Sequence, residues 1–134
     1  MTGHVEISAR IAKGRKRRLV TIVSALAKWL RSFRQVTGPV WTTNTSALEA
    51  GLRALRKTTG VPARSNGLRH AFITFHMAMH TNENLTAAEA GNSPGMIHDH
   101  YRALATRREA ANWFGVKPAK SANVIHLSNI GTPA

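Results

Sequence analysis

Three polar side chains in the middle of the chain have the types and the spacing for chemistry on an anion. Arg69 stands 23 residues before Asn92, and Tyr101, the only tyrosine, follows 9 residues later. Separations of this size place the three residues on different helices or turns, from which they could converge on one small target. An arginine binds a phosphate through two parallel hydrogen bonds, and a tyrosine hydroxyl can act as a nucleophile. A phosphate-directed site is therefore the first hypothesis.

The segments that carry these residues have helical patterns. A helix is predicted from Ser65 or Asn66, as its N-cap, to about His80, with one apolar face expected in the core; that face comprises Leu68, Ala71, Phe72, Phe75 and Met79. Arg69 then lies near the amino end of the helix, where free backbone N–H groups and the helix dipole favour an anion. Gly91 is predicted to end a short helix over 84–90, and Ser93 with Pro94 to begin the helix that carries Tyr101.

The charge of the chain indicates a polyanionic partner. Its 134 residues contain 19 Lys and Arg but 6 Asp and Glu, a formal net charge of +13. Such an excess favours nucleic acid, although an anionic membrane surface, a ribosome or an acidic chaperone would also satisfy charge alone. The length suits one domain. The absence of cysteine excludes disulfides and thiolate zinc sites and is consistent with a reducing compartment.

The amino-terminal segment predicts a β-hairpin with a basic loop. Residues 4–8 (HVEIS) alternate in polarity, and residues 19–23 (LVTIV) form a second run typical of a strand. Between them, six of the nine residues 10–18 are Lys or Arg. Such a loop could contact phosphates, because each cation that binds DNA releases condensed counterions; a solvated basic turn is the alternative.

Two motifs resemble those of a known family. The segment NGLRHAFITF, followed by GNSP and then HY, is similar to the carboxyl half of the tyrosine recombinase (phage-integrase type) catalytic domain. The segment AKGRKRRLVTI resembles the family's hairpin, which has a GKG-x-K-x-R-LV pattern. Together the motifs cover about residues 5–118. The resemblance implies double-stranded DNA as the partner and site-specific recombination or integration through a 3′-phosphotyrosine intermediate, without a metal or other cofactor.

The resemblance also implies roles for individual residues. Tyr101 is the expected nucleophile, Arg69 the phosphate clamp and Lys13 the general acid that protonates the leaving 5′ oxygen. Asn66 and Asn92 occupy two assisting positions, at which His or Lys and His or Trp are usual in the family. His70 is expected to support the helix and not to take part in the reaction itself. DNA contacts are expected at five residues: Arg15, Lys16, Arg17, Arg18 and His70.

Part of the family's catalytic domain has no counterpart in this sequence. The family's first clamp arginine lies upstream of the hairpin, and its amino-terminal DNA-clamping domain lies further upstream still. We therefore expect a truncated integrase from a bacterial, phage or other mobile-element source, weak or inactive on its own. Loss of one cationic clamp would lower the rate about a thousandfold or more. A non-catalytic DNA- or RNA-binding module is the alternative, and a ribosome-associated basic protein is a third reading.

The expected fold class is mainly α with a short amino-terminal β-hairpin (α+β), a partial tyrosine-recombinase catalytic domain over 1–117. Further helices are predicted over 24–35, with Ser24 as N-cap and core residues Ala25, Leu26, Trp29, Leu30 and Phe33; over 45–58, with Leu48, Leu52 and Leu55 buried; and over 106–114, with Ala110, Trp113 and Phe114 packed. An extended segment is expected over 40–44. Residues 118–134 are expected to form a flexible tail, whose VIHL segment could mediate homo-oligomerisation on DNA.

Two other patterns in the sequence allow alternative interpretations. His76 and His80 are four residues apart on one helix, which suits a metal pair, but no third ligand can be placed, so no metal is expected. KGRKRR followed by LVTIVSALA imitates a signal peptide. Its apolar run of about nine residues is too short to span a bilayer, and we expect a cytoplasmic protein that does not enter a membrane.

Overall fold

The structure is a computed structural model that describes residues 3–12, 14–38 and 44–118. It is mainly helical with one two-stranded antiparallel hairpin, as the sequence predicts for the fold class. The strands are β1 (Gly3–Ile7) and β2 (Arg18–Ile22), and the helices are α1 (Ser24–Leu30), followed by a 3-10 turn (Arg31–Phe33), α2 (Thr45–Thr59), α3 (Gly67–His80), α4 (Glu83–Ala90), α5 (Pro94–Tyr101) and α6 (Arg107–Phe114).

The hairpin is confirmed. β1 and β2 pair antiparallel, with Val5 opposite Val20 and Ile7 opposite Arg18. The basic loop between them is closed by backbone hydrogen bonds, among them one of 2.8 Å from the N–H of Arg15 to the carbonyl of Ala12. The hairpin thereby brings Arg18 to the start of β2, at the foot of the loop.

Most helix ends follow the local signals in the sequence. Gly60 and Gly91 end α2 and α4 in the left-handed conformation, with φ of 68° and 71°, which glycine adopts without steric cost. The hydroxyl of Ser93 accepts a hydrogen bond from the N–H of Met96, with Pro94 at the first helical position of α5. Thr106 and Glu109 form a reciprocal capping box at the start of α6. These short-range interactions fix the lengths of the helices around the site.

One predicted N-cap is wrong, and another has the predicted position without a side-chain hydrogen bond. Ser24 is already the first helical residue of α1, and Val23, extended at ψ 158°, stands at the cap without a side-chain hydrogen bond. Asn66 occupies the cap position of α3, but its backbone is left-handed at φ 53° and its side chain caps nothing. A side-chain cap normally needs an extended backbone from which the oxygen reaches back to the N–H groups. The 24–35 helix is also shorter than predicted, since it ends at Leu30 and continues as the 3-10 turn.

The hydrophobic core lies among α3, α4 and α5. Its six buried side chains are Ile73, Met77, Ala87, Ala90, Ile97 and Tyr101. Phe72 is partly buried and packs against them. α6 covers another side of α3, where Trp113 stacks on Phe75 at 5.3 Å and Phe114 meets Phe72 edge to face at 6.2 Å. The predicted packing of α6 is therefore confirmed.

The predicted core face of α3 is wrong in part. Ile73 and Met77, which it left out, are buried, whereas Leu68 is 85% exposed. α3 is covered by α4 and α5 on one side and by α6 on another, so its buried surface is wider than a single stripe. Leu68 lies in the first turn of the helix, outside that cover.

The amino-proximal helices, by which we mean α1, the 3-10 turn and α2, bury far less than predicted. In α1 the side chain of Ala25 is buried, but Leu26, Trp29 and Phe33 are 37%, 42% and 39% exposed. Within the described residues α2 has no buried side chain and makes at most marginal contact with other elements. The predicted burial of Leu52 and Leu55 is therefore wrong: they are 39% and 56% exposed.

Several expectations fall outside the described residues. Lys13, most of the extended segment over 40–44 and the tail from 119 onward, including VIHL, belong to this group. Among the helices that the structure describes, none has the length and apolar character needed to cross a membrane.

Candidate active site

Tyr101 is held by a direct contact with His70. Tyr101 is the last residue of α5 and is 8% exposed. Its hydroxyl lies 2.6 Å from Nδ1 of His70, and the two rings stack with centroids 5.8 Å apart. When Nδ1 carries no proton, the tyrosine O–H donates to it; the tautomer of the imidazole decides this. The contact joins the end of α5 to the start of α3 across 31 residues.

Arg69 and Asn92 form a second pair beside the first. The guanidinium of Arg69 donates a hydrogen bond to Oδ1 of Asn92, and Nδ2 of Asn92 lies 2.9 Å from the sulfur of Met96. Arg69 is exposed, and a guanidinium has five N–H donors, so donors remain for another ligand. Of the three residues expected to converge, Arg69 and Asn92 are thus in direct contact, whereas Tyr101 contacts His70.

Local structure explains why the two pairs are neighbours. Arg69 and His70 are consecutive in the first turn of α3, about 100° apart around the helix axis. Arg69 therefore reaches the turn between α4 and α5, while His70 reaches the end of α5. The left-handed Gly91 and the Ser93 cap make that turn tight, which presents Asn92 to Arg69.

The basic hairpin loop faces the same turn. A cleft of about 420 Å3 lies between them, and its lining includes Lys16, Arg17, Arg18, Gly91 and Asn92. The guanidinium of Arg18 lies against Gly91, where a Cβ would overlap it. The Nε of Arg18 is buried and has no hydrogen-bond partner in the structure. The cleft is therefore bordered by cations from the hairpin on one side and by Asn92 on the other.

A buried polar network fastens the hairpin to the helices. Thr21 of β2 donates a hydrogen bond of 2.7 Å to Glu89 of α4, and Oε2 of Glu89 lies 3.5 Å from Nε2 of His76. Nδ1 of His76 is 2.8 Å from the hydroxyl of Thr86. Burial lowers the pKa of His76, nearby His80 lowers it further, and Glu89 opposes the shift. The network fixes β2 on α4 and hence Arg18 beside Gly91.

The other predicted site residues lie outside the Tyr101–His70 and Arg69–Asn92 pairs, although Lys16 and Arg17 line the cleft. Asn66 is exposed, and its side chain makes no hydrogen bond within the described part of the chain; its backbone carbonyl accepts from the N–H of His70 at 2.9 Å. Arg15 and Lys16 are exposed in the loop. Arg17 pairs with Glu6 at 2.7 Å, and this hydrogen bond lowers the pKa of Glu6.

Sequence reasoning missed three contacts. It gave His70 a supporting role, whereas the structure places it on the Tyr101 hydroxyl. It treated Arg18 as one of several loop cations and His76 as an ordinary helix histidine, with a metal pair as the alternative. The rings of His76 and His80 do lie 4.3 Å apart, but no cluster of three metal-binding side chains occurs in 3–12, 14–38 and 44–118. The residue that could have indicated this network is Glu89, a charged residue in the helix that faces buried His76.

Comparisons with known proteins add no constraint. No protein-family model, curated protein or solved structure matches the chain. A functional proposal therefore depends on the contacts around Tyr101 and on the motifs quoted above.

Proposed function

We propose that this chain carries the nucleophile and a phosphate ligand for DNA strand cleavage of the tyrosine-recombinase type. The observation that carries the proposal is the contact of 2.6 Å between the Tyr101 hydroxyl and His70 Nδ1, beside the Arg69–Asn92 pair. A hydroxyl with a hydrogen-bonded base and a neighbouring guanidinium is an arrangement suited to attack on a phosphodiester.

His70 is the proposed general base. Its unprotonated Nδ1 accepts the proton of Tyr101, a transfer for which the contact distance is suitable. The phenolic oxygen then attacks phosphorus, so that the Oη–P bond forms as the P–O5′ bond breaks. In the assignment implied by the resemblance, Lys13 gives a proton to the leaving 5′ oxygen. The products are a 3′-phosphotyrosine and a 5′ hydroxyl, and one proton is taken up for each one released.

Arg69 and the amino end of α3 are the proposed ligands of the phosphate. The donors of Arg69 that Asn92 does not occupy can bind a non-bridging oxygen. The free N–H groups of the first helical turn add to the same positive potential. Both effects grow as negative charge develops on the phosphorane, so they stabilise the transition state more than the ground state.

The overall charge supports DNA as the bound partner. At +13, the chain releases many counterions when it binds a polyanion. Four successive cations, residues 15–18, lie at the edge of the cleft or on the exposed loop. We infer that this loop contacts the DNA backbone beside the cleaved phosphate, without reading the base sequence.

A non-catalytic nucleic-acid-binding module is the second candidate. The observation in its favour is the burial of Tyr101, which is 8% exposed and belongs to the core with Ile73 and Ile97. Packing alone would then explain the position of the ring, with the His70 contact satisfying its hydroxyl. This candidate predicts DNA affinity without covalent chemistry.

A trapping experiment separates the two candidates. The full chain is incubated with a pool of duplexes of randomised sequence, each with one nick that releases the 5′ product, and covalent adducts are sought by denaturing electrophoresis and mass spectrometry. Cleavage predicts an adduct on Tyr101 that accumulates slowly over a long incubation, as weak catalysis requires, and that Tyr101→Phe abolishes although phenylalanine keeps the packed ring. His70→Ala should slow adduct formation about a hundredfold or more. DNA binding without an adduct would reject the cleavage proposal in favour of the binding module.

A further inference from the structure

Arg18 is a half-buried cation that has no partner among the described residues. Its Nε is buried and makes no hydrogen bond, and within the described residues its side chain forms no hydrogen bond or ion pair. Burying charged donors without partners is unfavourable. Proteins therefore normally pair such a group, either with a carboxylate or with a bound anion.

The carboxylates near the hairpin already have other partners. Glu6 binds Arg17, and Glu89 accepts from Thr21 and lies beside His76. Within the described residues, neither carboxylate forms an ion pair or a hydrogen bond with Arg18. The positive charge at the foot of the hairpin therefore has no internal counterion among the described residues.

The backbone around Gly91 accommodates the guanidinium. A Cβ at position 91 would lie 2.7 Å from Cζ of Arg18, so any side chain there would displace the guanidinium. Gly91 also has φ of 71°, which favours glycine independently. The absence of a side chain at this turn lets Arg18 lie against Gly91, at the wall of the cleft that Asn92 also lines.

We propose that Arg18 is a direct ligand of an oxyanion bound in the cleft between the hairpin loop and the α4–α5 turn. The anion contacts Arg18 from the hairpin side and Asn92 from the turn, and Arg69 holds Asn92 in position. That the anion is a DNA phosphodiester rests on the proposed function. Oxyanion binding itself rests on the cleft, the partnerless guanidinium and the glycine that makes room for it.

The test is a titration of the full chain with inorganic phosphate, followed by the amide signals of Gly91 and Asn92 in 15N-correlated NMR spectra. Arg18→Gln is expected to weaken phosphate binding about tenfold or more, the usual effect of losing a charged hydrogen bond. Arg10→Gln is the matched control: it removes the same charge from the same loop, but Arg10 is exposed and does not line the cleft. Its phosphate affinity should stay within about twofold of that of the unmodified chain.

Equal phosphate affinity of Arg18→Gln and Arg10→Gln would overturn the inference. If Arg18→Gln does not fold, Arg18→Lys and Arg10→Lys decide instead. Lysine keeps the charge but lacks the planar fork, so Arg18→Lys should bind phosphate severalfold more weakly, whereas Arg10→Lys should bind unchanged. Equal phosphate affinities of Arg18→Lys and Arg10→Lys would also reject a direct contact between Arg18 and the anion.

The adduct assay distinguishes failure of this inference from failure of the proposed function. If the unmodified chain forms no adduct but Arg18→Gln loses phosphate binding, the oxyanion site stands and strand cleavage does not. If the unmodified chain forms an adduct and Arg18→Gln matches Arg10→Gln in both assays, cleavage stands and the role of Arg18 is rejected.

Discussion

The two halves of the helical chain use similar sequence patterns with different results. In the helical core, by which we mean α3 to α6, Ile73, Ile97 and Ala110 are completely buried. In the amino-proximal helices only Ala25 is buried among the described side chains. Both halves contain apolar residues at helical spacing. Periodicity thus shows which face of a helix could be buried, but burial requires a second element to cover that face.

The candidate site lies in the covered half. Arg69, His70, Asn92 and Tyr101 all come from α3 to α5 or the turn between them, and the hairpin is fastened to α4 through Thr21. Side chains that act together need supports that hold them in place. Among the described residues, the amino-proximal helices contribute none of the contacts in the site, so we expect that changes there leave it intact.

The largest expected effect comes from removing core volume. Ile73→Ala should lower the free energy of unfolding by about 2–5 kcal/mol, because the lost methyl groups leave a cavity among packed neighbours. Leu55→Ala on α2, where the side chain is 56% exposed, should change it by no more than about 0.5 kcal/mol. Urea denaturation of both variants measures the contrast. Similar losses in the free energy of unfolding of the two variants would mean that another part of the protein covers α2 in solution.

A smaller effect is expected at the junction of the hairpin and the helical core. Gly91→Ala should cost about 1–2 kcal/mol, because φ of 71° is unfavourable for a residue with a Cβ. Gly95→Ala is the matched control. A Cβ at Gly95 meets nothing within 4 Å, and alanine restricts the unfolded chain, so this change should stabilise by about 0.4–1 kcal/mol.

The two glycine variants also test whether Gly91 positions Arg18 in the cleft. Gly91→Ala should weaken phosphate binding, since the new Cβ displaces the Arg18 guanidinium, while Gly95→Ala should leave it unchanged. Destabilisation by Gly91→Ala with normal phosphate affinity would show that glycine is needed there for backbone geometry alone.

The parts of the fold that sequence predicts well are those fixed by short-range chemistry. Gly60 and Gly91 end helices, Ser93 and Pro94 begin one, and the alternating runs pair as the hairpin. Burial is predicted less well, because the exposure of Leu68 or Leu55 depends on which helices pack nearby. No local pattern contains that information.

The same distinction applies to the site. The approach of Arg69 to Asn92 follows from the motif and its spacing. The Tyr101–His70 contact depends on the relative rotation of α3 and α5, and the position of Arg18 depends on how the hairpin docks on α4. These are tertiary properties that spacing along the chain does not determine.

The smallest expected effect is a dependence of stability on pH that originates in the buried network. Burial, with His80 beside it, lowers the pKa of His76 in the folded state, although Glu89 partly offsets the shift. The unfolded chain therefore binds more protons near the ordinary histidine pKa of about 6.5. The stability due to neutral His76 is complete above this pH and is lost as the pH falls through it towards the lower folded-state pKa. The denaturant midpoint should therefore decrease as the pH is lowered from 8 to 5.5.

A variant isolates this contribution from general charge repulsion. His76→Gln retains a hydrogen-bonding side chain for Thr86 but does not titrate, so its stability should vary less with pH than that of the unmodified chain. Protonation of the other histidines of this already basic chain affects both proteins alike and cancels in the difference. An identical pH dependence in the two would show that folding leaves the pKa of His76 unchanged. A gain in stability of the unmodified chain relative to His76→Gln as the pH falls would show that His76 is charged in the folded state, paired with Glu89. The network joining Thr21 to the helical core would then contain an ion pair instead of a neutral histidine.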